Sequence, residues 1–532
     1  MTKFYKCIAA PASGKSYGSI RYMVRQIEEE SKRYVLAAIS VELCKDLKSN
    51  IYSANPNIKV DMLIQENTPT SSRVQDRYEE YLKESDADIL IITHATLLNF
   101  KGRVSAEGWS MVVDELPNIV EMKAIKGTLA NDNISQWLEY KHPDKEAGYR
   151  EMIIKVGWEA TLEKEISASE DIAHEEGFVA TAALSGLQGI LSGDTSILRS
   201  EYEDSDGLTK VVYYFSHIHD PLQLWAGFEE VVFLCAEFNQ QLTGIVFKHK
   251  FHITVEDKPE IELRSTSYEK PERIKIYPLL LPPTTFTKRT SRSYYDTKTN
   301  KKFPVKISEN LTEIFQHLVD VAEDIVGDKG YIYTVNKFRN EQIEQGDFSF
   351  LSERDKVERL KYNPHGLNRF MVHNIALGLF HCNPSPYQRT LLKHIALSCG
   401  VEPEVFYRGY ETTAYLDPIF QLVTRTAIRN FEDIQDIVCI VPDHRVAKYL
   451  TDGWFKGAIV DYQYAVSIKD GRKTNARPNK FQGMFDMSSA EKSSYTRWVK
   501  AVGMKPKEMN TQNNDHVALV TDWVENKRGS EL

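Results

Sequence analysis

The stretch IAAPASGKSYGS, residues 8–19, decides how this chain begins to fold. An apolar run leads into it, small residues form its middle, and a segment of helix-compatible composition follows at residues 20–30. A buried strand, a turn of small residues and a helix in this order are typical of α/β proteins built on parallel sheets. The turn also contains the tripeptide Gly14-Lys15-Ser16, which indicates a specific chemistry.

The tripeptide ends a near match to a phosphate-binding loop. In the pattern G-x-x-x-x-G-K-[ST], backbone N–H groups cradle the phosphates, the lysine neutralises their charge and the hydroxyl holds Mg²⁺. Here Ala9 stands in place of the first glycine. The predicted phosphate-binding residues are Ala12, Ser13, Gly14, Lys15 and Ser16. A chance Gly-Lys-Ser in a turn is the alternative, and the strand before it with the helix after it favours the loop.

Strands and helices continue to alternate over the next hundred residues. Predicted strands lie at 33–40, 58–64, 87–98 and 109–119, the third running into a helix, and predicted helices begin at 41 and 73. Because the carboxyl ends of parallel strands meet at one edge of a sheet, Asp114 and Glu115 are expected beside Lys15 and Ser16. We assign Asp114 to Mg²⁺ and Glu115 to the general base. Two solvated acids after a strand are the alternative.

A second set of apolar runs predicts further strands that alternate with helices. These runs lie at 228–238, 330–338, 375–380 and 436–443. Segment 418–430 is predicted as one helix, on which Gln421, Arg425 and Arg429 follow at intervals of four and share roughly one face. The three side chains are either a solvated face or a group that neutralises a γ-phosphate across a cleft. The helix by itself does not decide between the two.

The composition is that of a globular protein in a reducing compartment. The 532 residues carry 66 lysines and arginines against 75 acids, so nucleic-acid contacts must rest on local basic patches. Six cysteines without CxxC spacing lie mostly in apolar runs, which favours buried thiols over disulfides or zinc ligands. No run approaches the roughly 18 apolar residues of a membrane helix, and no secretion signal is visible. We therefore expect a cytoplasmic protein without a membrane partner.

Together these motifs resemble those of the superfamily 2 helicases over roughly residues 4–450, and most closely the helicases of large bacteriophages. The segments in family order are AAPASGKS (motif I), AAIS (Ia), ITHATLL (Ib), VVDELP (II), FLCAEF (III), IYTVNKF (IV), GLN (V) and QLVTRTAIRN (VI). The resemblance implies an α/β protein of two tandem RecA-like parallel-sheet domains, with ATP and Mg²⁺ between them. Closure on ATP and opening after hydrolysis would shift the grip on a nucleic-acid strand.

The resemblance also implies roles for residues outside the phosphate loop. The implied catalytic residues are Glu115, Arg429, Arg425 and Gln421, with Arg429 favoured over Arg425 as the arginine finger. The implied nucleic-acid contacts are Ser40, Thr93, His94, Asn336 and Asn368. A histidine such as His94 is, taken alone, more often packed or capping. Motif III departs from the usual Ser/Thr-Ala-Thr, because Cys235-Ala236-Glu237 places a thiol and a carboxylate where hydroxyls couple hydrolysis to unwinding.

We divide the chain into five predicted segments. RecA-like domain 1 comprises residues 1–119 and 225–275, and an accessory insertion occupies residues 120–224. A basic aromatic linker or hairpin at residues 276–310 leads to RecA-like domain 2 at residues 311–455, and a C-terminal extension covers residues 456–532. In the linker, Lys288, Arg289 and Arg292 are predicted to contact nucleic acid, since basic residues interleaved with aromatics suit a single strand. A solvated linker is the equal alternative. The extension is a candidate for packing on domain 2, for DNA contact or for docking a replication protein.

The sequence thus predicts an ATP-dependent DNA helicase that moves on single-stranded nucleic acid and unwinds duplexes in phage replication, recombination or repair. The preference for DNA over RNA rests on the phage resemblance, and a monomer is favoured because the family allows one. The alternatives are a duplex translocase or origin remodeller without strand separation, a nucleotide-gated binding switch, and a P-loop kinase. Glu115 and the two arginines disfavour the switch, and the second α/β unit disfavours the kinase.

Overall fold

The computed structural model describes most of the chain in two compact units. The described residues are 2–67, 74–99, 105–128, 132, 134–142, 148–172, 186–193, 196–265, 268, 270–345, 351, 357–360, 370–430, 435–470, 495, 498–499 and 520–524. One unit spans residues 1–288 with 318–466, and the other spans 289–317 with 467–532. The first unit contains two parallel sheets and one antiparallel sheet, and the second contains a small sheet of its own.

The first part of the chain alternates strands and helices as predicted. The strands are β1 (Lys3–Ile8), β2 (Arg33–Ala38), β3 (Val60–Leu63), β4 (Ile89–Thr93) and β5 (Trp109–Asp114). The helices are α1 (Lys15–Glu30), α2 (Val41–Ala54), α3 (Val74–Glu84) and α4 (His94–Leu98). Ser40 and Thr93 begin α2 and α4 because their hydroxyls accept hydrogen bonds from backbone N–H groups that the first helical turn leaves unpaired.

The accessory insertion folds into an antiparallel sheet. Its strands are β6 (Val120–Thr128), β7 (Leu138–Tyr140), β8 (Arg150–Ile154), β9 (Ile197–Glu203) and β10 (Thr209–Ile218), in the order β6-β10-β9-β8-β7, and its helices are α5 (Glu159–Ile172) and α6 (Pro221–Trp225). Arg199 is buried there and pairs with Asp132 at 3.0 Å, so its charge is neutralised inside the sheet. Tyr214 of β10 stacks on Tyr387 with ring centroids 4.3 Å apart. The insertion therefore contacts the part of the chain that builds the second parallel sheet.

The chain then returns to the first parallel sheet. The returning elements are β11 (Glu230–Cys235), α7 (Leu242–His249) and β12 (Glu256–Asp257). All seven strands are parallel, in the order β12-β1-β11-β5-β2-β4-β3. Strand β11 alone separates β1 from β5, so the loops at their carboxyl ends lie close to one another. Tyr34, Val35 and Leu36 are all buried although they alternate between faces, as expected for a sheet covered on both sides.

Helix α1 packs so closely on the segment after β12 that Gly18 has no room for a side chain. A Cβ on Gly18 would lie 2.1 Å from the carbonyl oxygen of Glu262. We expect Gly18→Ala to lower the free energy of unfolding by about 1–3 kcal/mol, because backbone has to shift. The control is Gly453→Ala, where an added Cβ meets nothing within 4 Å. Urea unfolding of both variants tests this packing, and a Gly18→Ala protein as stable as the wild type would contradict it.

The second parallel sheet has six strands. They are β13 (Ile274–Pro278), β17 (Tyr331–Val335), β18 (Val357–Arg359), β19 (Ile375–Leu379), β20 (Ile437–Val441) and β21 (Ile459–Val460), in the order β18-β17-β19-β20-β13-β21. The accompanying helices are α9 (Ile314–Val326), α10 (Lys337–Glu344), α11 (Pro386–Ser398), α12 (Pro403–Glu411), α13 (Asp417–Val423) and α14 (His444–Tyr449). Two parallel α/β sheets in tandem confirm the predicted RecA-like fold class. The five segment boundaries stay predictions.

The prediction of one helix over 418–430 is wrong, because α13 ends at Val423. The hydroxyl of Thr424 donates to two carbonyl oxygens of the last turn, at 2.9 and 3.1 Å, and the hydroxyl of Thr426 donates to the Val423 carbonyl at 2.8 Å. These hydroxyls take the carbonyls that a continuing helix would bond to its own N–H groups. A separate 3₁₀ turn, Ala427–Arg429, follows, so the glutamine and the two arginines do not share one helix face.

The second compact unit is built on a small mixed sheet. Its strands are β14 (Tyr294–Asp296), β15 (Lys301–Phe303), β16 (Thr312–Glu313) and β22 (Lys469–Asp470), in the order β16-β14-β15-β22, and the short helix α8 (Lys288–Ser291) stands at its boundary. Tyr495, Trp498 and Val499 pack with Val520, Trp523 and Val524. None of the described helices combines the length and the hydropathy that a membrane span requires.

Candidate nucleotide site

The phosphate loop runs from the end of β1 to the start of α1. Gly14 has a φ of 88°, and a Cβ there would lie 2.8 Å from Cγ of Arg264, so both the backbone and the available space require glycine. Ala12 has a φ of 70°, in a region that costs a non-glycine residue about 1–2 kcal/mol. The loop backbone is therefore bent at two points, and such bends turn successive N–H groups toward a bound anion.

Lys15 lies inside this loop. It is 6% exposed, and its ammonium donates to the carbonyl oxygens of Ala9 at 2.6 Å and Ala10 at 3.1 Å. The carbonyl oxygen of Ser13 accepts a hydrogen bond from the N–H of Arg264 at 2.8 Å, which ties the loop to the segment after β12. In the phosphate-loop pattern, the lysine at this position is the one that neutralises phosphate charge.

The two predicted magnesium ligands are in contact. Ser16 Oγ donates to Oδ1 and Oδ2 of Asp114 at 3.1 and 3.2 Å. Burial, and secondly the charge of Glu115, raise the pKa of Asp114 to about 7, against the lowering effects of Lys15 and Ser16. A hydroxyl and a carboxylate are ligands that Mg²⁺ prefers, and a cation there would favour the ionised carboxylate. Among the described residues, no group of three or more His, Cys, Asp or Glu side chains could hold a metal ion.

Glu115 departs from the strand direction immediately after Asp114. Its φ is 66°, and its N–H donates to the carbonyl oxygen of Leu234 at 2.9 Å. Strained backbone of this kind in non-glycine residues clusters at functional sites. The carboxylate acts on the pKa values of Asp114, Asp417, Arg425 and Arg429. Glu115 therefore lies among ionisable groups from both parallel-sheet domains.

The two predicted arginines reach this centre from the second domain. Arg425 is 3% exposed, and its Nη2 donates to Oε1 of Gln421 at 3.4 Å. Burial, and secondly the charge of Arg429, lower the pKa of Arg425, while Glu115 and Asp114 oppose that shift. Arg429 donates from Nε to a backbone carbonyl at 2.6 Å, and burial lowers its pKa to about 10. The charges of Asp114 and Glu115 both raise the pKa of Arg425. Of these two acids, only Glu115 raises the pKa of Arg429.

Asp417 and Tyr268 belong to the same centre, and the sequence analysis did not find them. Asp417 begins α13 and is 6% exposed, and burial, followed by the charge of Glu115, raises its pKa to about 8. The hydroxyl of Tyr268 donates to the carbonyl oxygen of Pro11 at 2.7 Å, beside the phosphate loop. An acid at the start of the apolar helix DPIFQLV was the signal for Asp417. Nothing in the sequence around Tyr268 points to a loop more than 250 positions earlier.

Asp417 gives the protein a pH dependence of stability that Asp417→Asn should remove. Its pKa is raised from 3.8 to about 8, so the folded protein retains a proton that the unfolded chain loses. The stabilisation that comes from this retained proton is complete below the pKa that Asp417 has in the unfolded chain, 3.8. It is lost as the pH rises through its pKa in the folded protein, about 8. Between about pH 5 and pH 8 we expect the melting temperature of the wild type to fall by several degrees relative to that of Asp417→Asn. A difference between the two melting temperatures that does not change with pH would contradict this.

The residues of motif III border the phosphate loop. The carbonyl oxygen of Cys235 accepts from the N–H of Ala9 at 3.1 Å, and Ala236 belongs to the same buried cluster as Ala10. Burial raises the pKa of Glu237 to about 7. A carboxyl group that keeps its proton near neutral pH can donate a hydrogen bond as a hydroxyl does. With a pKa of about 7, the Glu237 carboxyl group is partly ionised at neutral pH, so it is not equivalent to a hydroxyl, which remains a donor there.

The predicted nucleic-acid contacts are less clearly placed. The hydroxyls of Ser40 and Thr93 cap helices, His94 is buried, and Asn336 donates from Nδ2 to the carbonyl oxygen of His381 at 3.0 Å. Lys288, Arg289 and Arg292 are exposed on and after α8. Asn368 lies outside the described residues. Since the first four side chains have structural surroundings of their own, contact with nucleic acid stays a prediction for all of these residues.

Comparisons with known proteins add a similarity of overall fold. No protein-family model matches the sequence, and no curated protein matches it. Among solved structures, the chain is similar to S. cerevisiae Dbp5 bound to RNA and ADP BeF3, with 9% identity and a TM-score of 0.35 over 87% of this chain and 85% of that one. It is also similar to the Mycobacterium smegmatis helicase Lhr bound to ssDNA and AMP-PNP, with 11% identity and a TM-score of 0.30 over 84% and 46% of the two chains. For T4 UvsW the identity is 10% and the TM-score 0.22, over 87% and 74%. At these scores the similarity carries no conclusion about activity or substrate.

Proposed function

We propose that this protein is an ATP-dependent helicase of the superfamily 2 type, which moves on single-stranded DNA and separates duplexes. The observation that supports the proposal is the hydrogen-bonded pair of Ser16 and Asp114, together with the charges of Lys15 and Arg425, which both act on the pKa of Asp114. These residues come from distant parts of the sequence and from both parallel-sheet domains. A structural salt-bridge network alone would not need a phosphate loop at its centre.

Each residue of the site has a defined part in the proposed hydrolysis. Lys15 and the N–H groups of the loop bind the phosphates, and Ser16 with Asp114 would hold Mg²⁺, which supplies positive charge to the phosphate oxygens when bound. Glu115 orients the attacking water and accepts its proton. Arg425, supported by Arg429, neutralises the negative charge that develops on the transferred phosphoryl group. Because the acids and the arginines belong to different domains, the site is complete only when the domains are together.

The DNA substrate, and a place in phage replication, recombination or repair, rest on the resemblance of the motifs to those of phage helicases. A docked replication protein at the C-terminal extension belongs to the same hypothesis. A second candidate function is an ATP-driven duplex translocase that does not separate strands. The substitution of Cys235 and Glu237 for the usual hydroxyl residues of motif III favours it, since those hydroxyls couple hydrolysis to unwinding in the family that the motifs resemble.

ATP hydrolysis measured with and without nucleic acid tests the proposal. We expect single-stranded DNA to stimulate the wild type several-fold, and Lys15→Ala to lower turnover by about 100-fold or more, because the phosphate charge is no longer neutralised in a buried site. The matched control is Lys45→Ala, which removes an exposed lysine paired with Glu66 at 2.7 Å. Stimulation by duplex DNA alone would favour the translocase. Nucleotide-dependent binding without turnover would contradict both functions and indicate the switch.

A further inference from the structure

The second compact unit carries a charge opposite to that of the whole chain. Residues 289–317 and 467–532 contain 18 lysines and arginines against 11 acids, whereas the whole chain contains 66 against 75. A positively charged unit on a negatively charged protein attracts polyanions to itself rather than to the rest of the surface. The small sheet of this unit is therefore the place to look for their contacts.

One face of that sheet is closed. Tyr295 in the middle of β14 is 3% exposed, and its ring stacks on that of His317 with centroids 4.9 Å apart. Lys302 and Thr312 are paired with Tyr295 on the two neighbouring strands, and paired residues lie on the same face. This face forms the interior of the unit.

The opposite face carries aromatic rings and lysines, with Asp296 paired to Lys301 between β14 and β15, and we call it the aromatic face. Tyr294 pairs with Phe303 between β14 and β15, and Lys301 pairs with Lys469 between β15 and β22. Both rings are partly exposed, and both lysines are exposed. Cβ atoms of directly paired residues lie about 4.5–5.5 Å apart. The two rings and the two ammonium groups therefore form one continuous surface.

The acids near this surface leave its basic edge positive. Asp296 accepts hydrogen bonds from the N–H of Lys298 at 2.9 Å and from the hydroxyl of Thr299 at 2.7 Å, so its carboxylate is turned into the hairpin. Glu313 pairs with Tyr294 on the outer strand β16, at the sheet edge opposite to the one formed by β22. The side of the sheet that carries Lys301 and Lys469 is therefore the side that suits a phosphate backbone.

We propose that the aromatic face binds single-stranded nucleic acid, and that it does so without ATP. Every base has a π-face, so aromatic rings hold successive bases with little regard to sequence, while lysines contact the phosphates between them. In a duplex the bases are stacked on one another and cannot lie on the rings. This proposal adds a second binding site to the proposed helicase function, and the choice of single-stranded nucleic acid as the ligand rests on that function. The face would keep hold of the strand while the two parallel-sheet domains open and close.

Fluorescence anisotropy of the full-length protein, measured in the absence of ATP, tests the proposal. The probes are labelled oligothymidylate and oligouridylate of about 16 nucleotides, which separate DNA from RNA, and a hairpin duplex. We expect the double variant Tyr294→Ala with Phe303→Ala to lose about tenfold or more in affinity for the single strands. Lys301→Ala with Lys469→Ala should weaken binding and reduce the slope of log affinity against log salt by about one.

The control is Lys298→Ala with Lys306→Ala, an equal change of charge within the same unit. Lys298 lies in the hairpin turn, and Lys306 pairs with Glu309 at 3.8 Å, so neither belongs to the aromatic face. We expect this pair to lose less than about threefold in affinity. Melting temperatures show whether each variant folds. If the variant Tyr294→Ala with Phe303→Ala does not fold, the variant Lys301→Ala with Lys469→Ala still tests whether this face binds nucleic acid, because both lysines are exposed.

Three results would overturn the proposal: wild-type affinity in both face variants, an equal loss in the control pair, or no binding of any oligonucleotide without ATP. The last would indicate a protein partner for the face. The binding assay contains no ATP, so its result does not depend on ATP hydrolysis. A protein without ATPase activity whose binding still depends on the aromatic face would refute the proposed function and support this inference.

Discussion

Glu115→Gln is expected to lower kcat for ATP hydrolysis by about 10²–10⁴-fold while leaving nucleotide affinity close to that of the wild type. The amide has the shape of the carboxylate but cannot accept a proton from the attacking water. The groups that would hold the phosphates and Mg²⁺, namely Lys15, Ser16 and Asp114, remain unchanged. The N–H of Glu115, which holds the left-handed backbone by its bond to the Leu234 carbonyl, is not changed by the substitution.

Steady-state turnover and equilibrium binding of an ATP analogue separate the two effects. Glu66→Gln is the control, because it changes an acid of the same domain whose side chain is 60% exposed and pairs with a surface lysine. We expect it to turn over ATP as the wild type does. If Glu115→Gln retained turnover within about tenfold of the wild type, the general base would have to be assigned to another group.

Arg425→Ala is expected to lower kcat by about 10³–10⁵-fold, and by more than Arg429→Ala does. The guanidinium of Arg425 is almost completely buried, and the charges of both Asp114 and Glu115 act on it. In such a dry site a positive charge stabilises the transition state far more than it would in water. Arg429 is held by its own backbone bond and acts as a second, supporting charge. The burial of Arg425 and the charges around it thus support Arg425 as the finger, whereas the sequence analysis favours Arg429.

The comparison of the two arginine variants requires a control for charge and for folding. Arg408→Ala removes an arginine whose side chain is 79% exposed and which pairs with Glu404 on the same helix, so it should leave turnover unchanged. A finger acts mainly in the transition state, so KM should change far less than kcat. Melting temperatures identify any variant that fails to fold. A larger loss of kcat in Arg429→Ala than in Arg425→Ala would reverse the assignment.

Much of the first domain was predictable because its signals are local. The apolar runs that become β2, β3 and β4 are short and bounded by polar helices, and Gly14-Lys15-Ser16 lies between a strand and a helix. The position of Asp114 followed from a general property of parallel sheets, since β1 and β5 both end at the same edge. None of these predictions needed a contact between distant parts of the chain.

Predictions failed or fell short where a local pattern had competing interactions. The spacing of Gln421, Arg425 and Arg429 fits a helix, but the hydroxyl of Thr424 satisfies the carbonyls of the last turn and ends it. The serine and threonine of motifs Ia and Ib were expected at a nucleic-acid groove, and their hydroxyls cap helices. A motif indicates which residues are near a loop, but it does not show which hydrogen bond each of them makes.

The α/β class, the strand-turn-helix around Gly14-Lys15-Ser16 and the position of the acids after β5 could be predicted from the amino-acid sequence, because each depends on neighbours within a few positions along the chain. The positions of Asp417 and Tyr268 near Lys15 and Pro11 became visible only in the folded chain. The same holds for the finding that Asp114 and Glu115 both act on the pKa of Arg425, whereas of the two only Glu115 acts on that of Arg429. These relations join residues separated by hundreds of positions. They depend on the order of strands in two sheets and on how the sheets' loops meet, and no local pattern of residue types encodes that order.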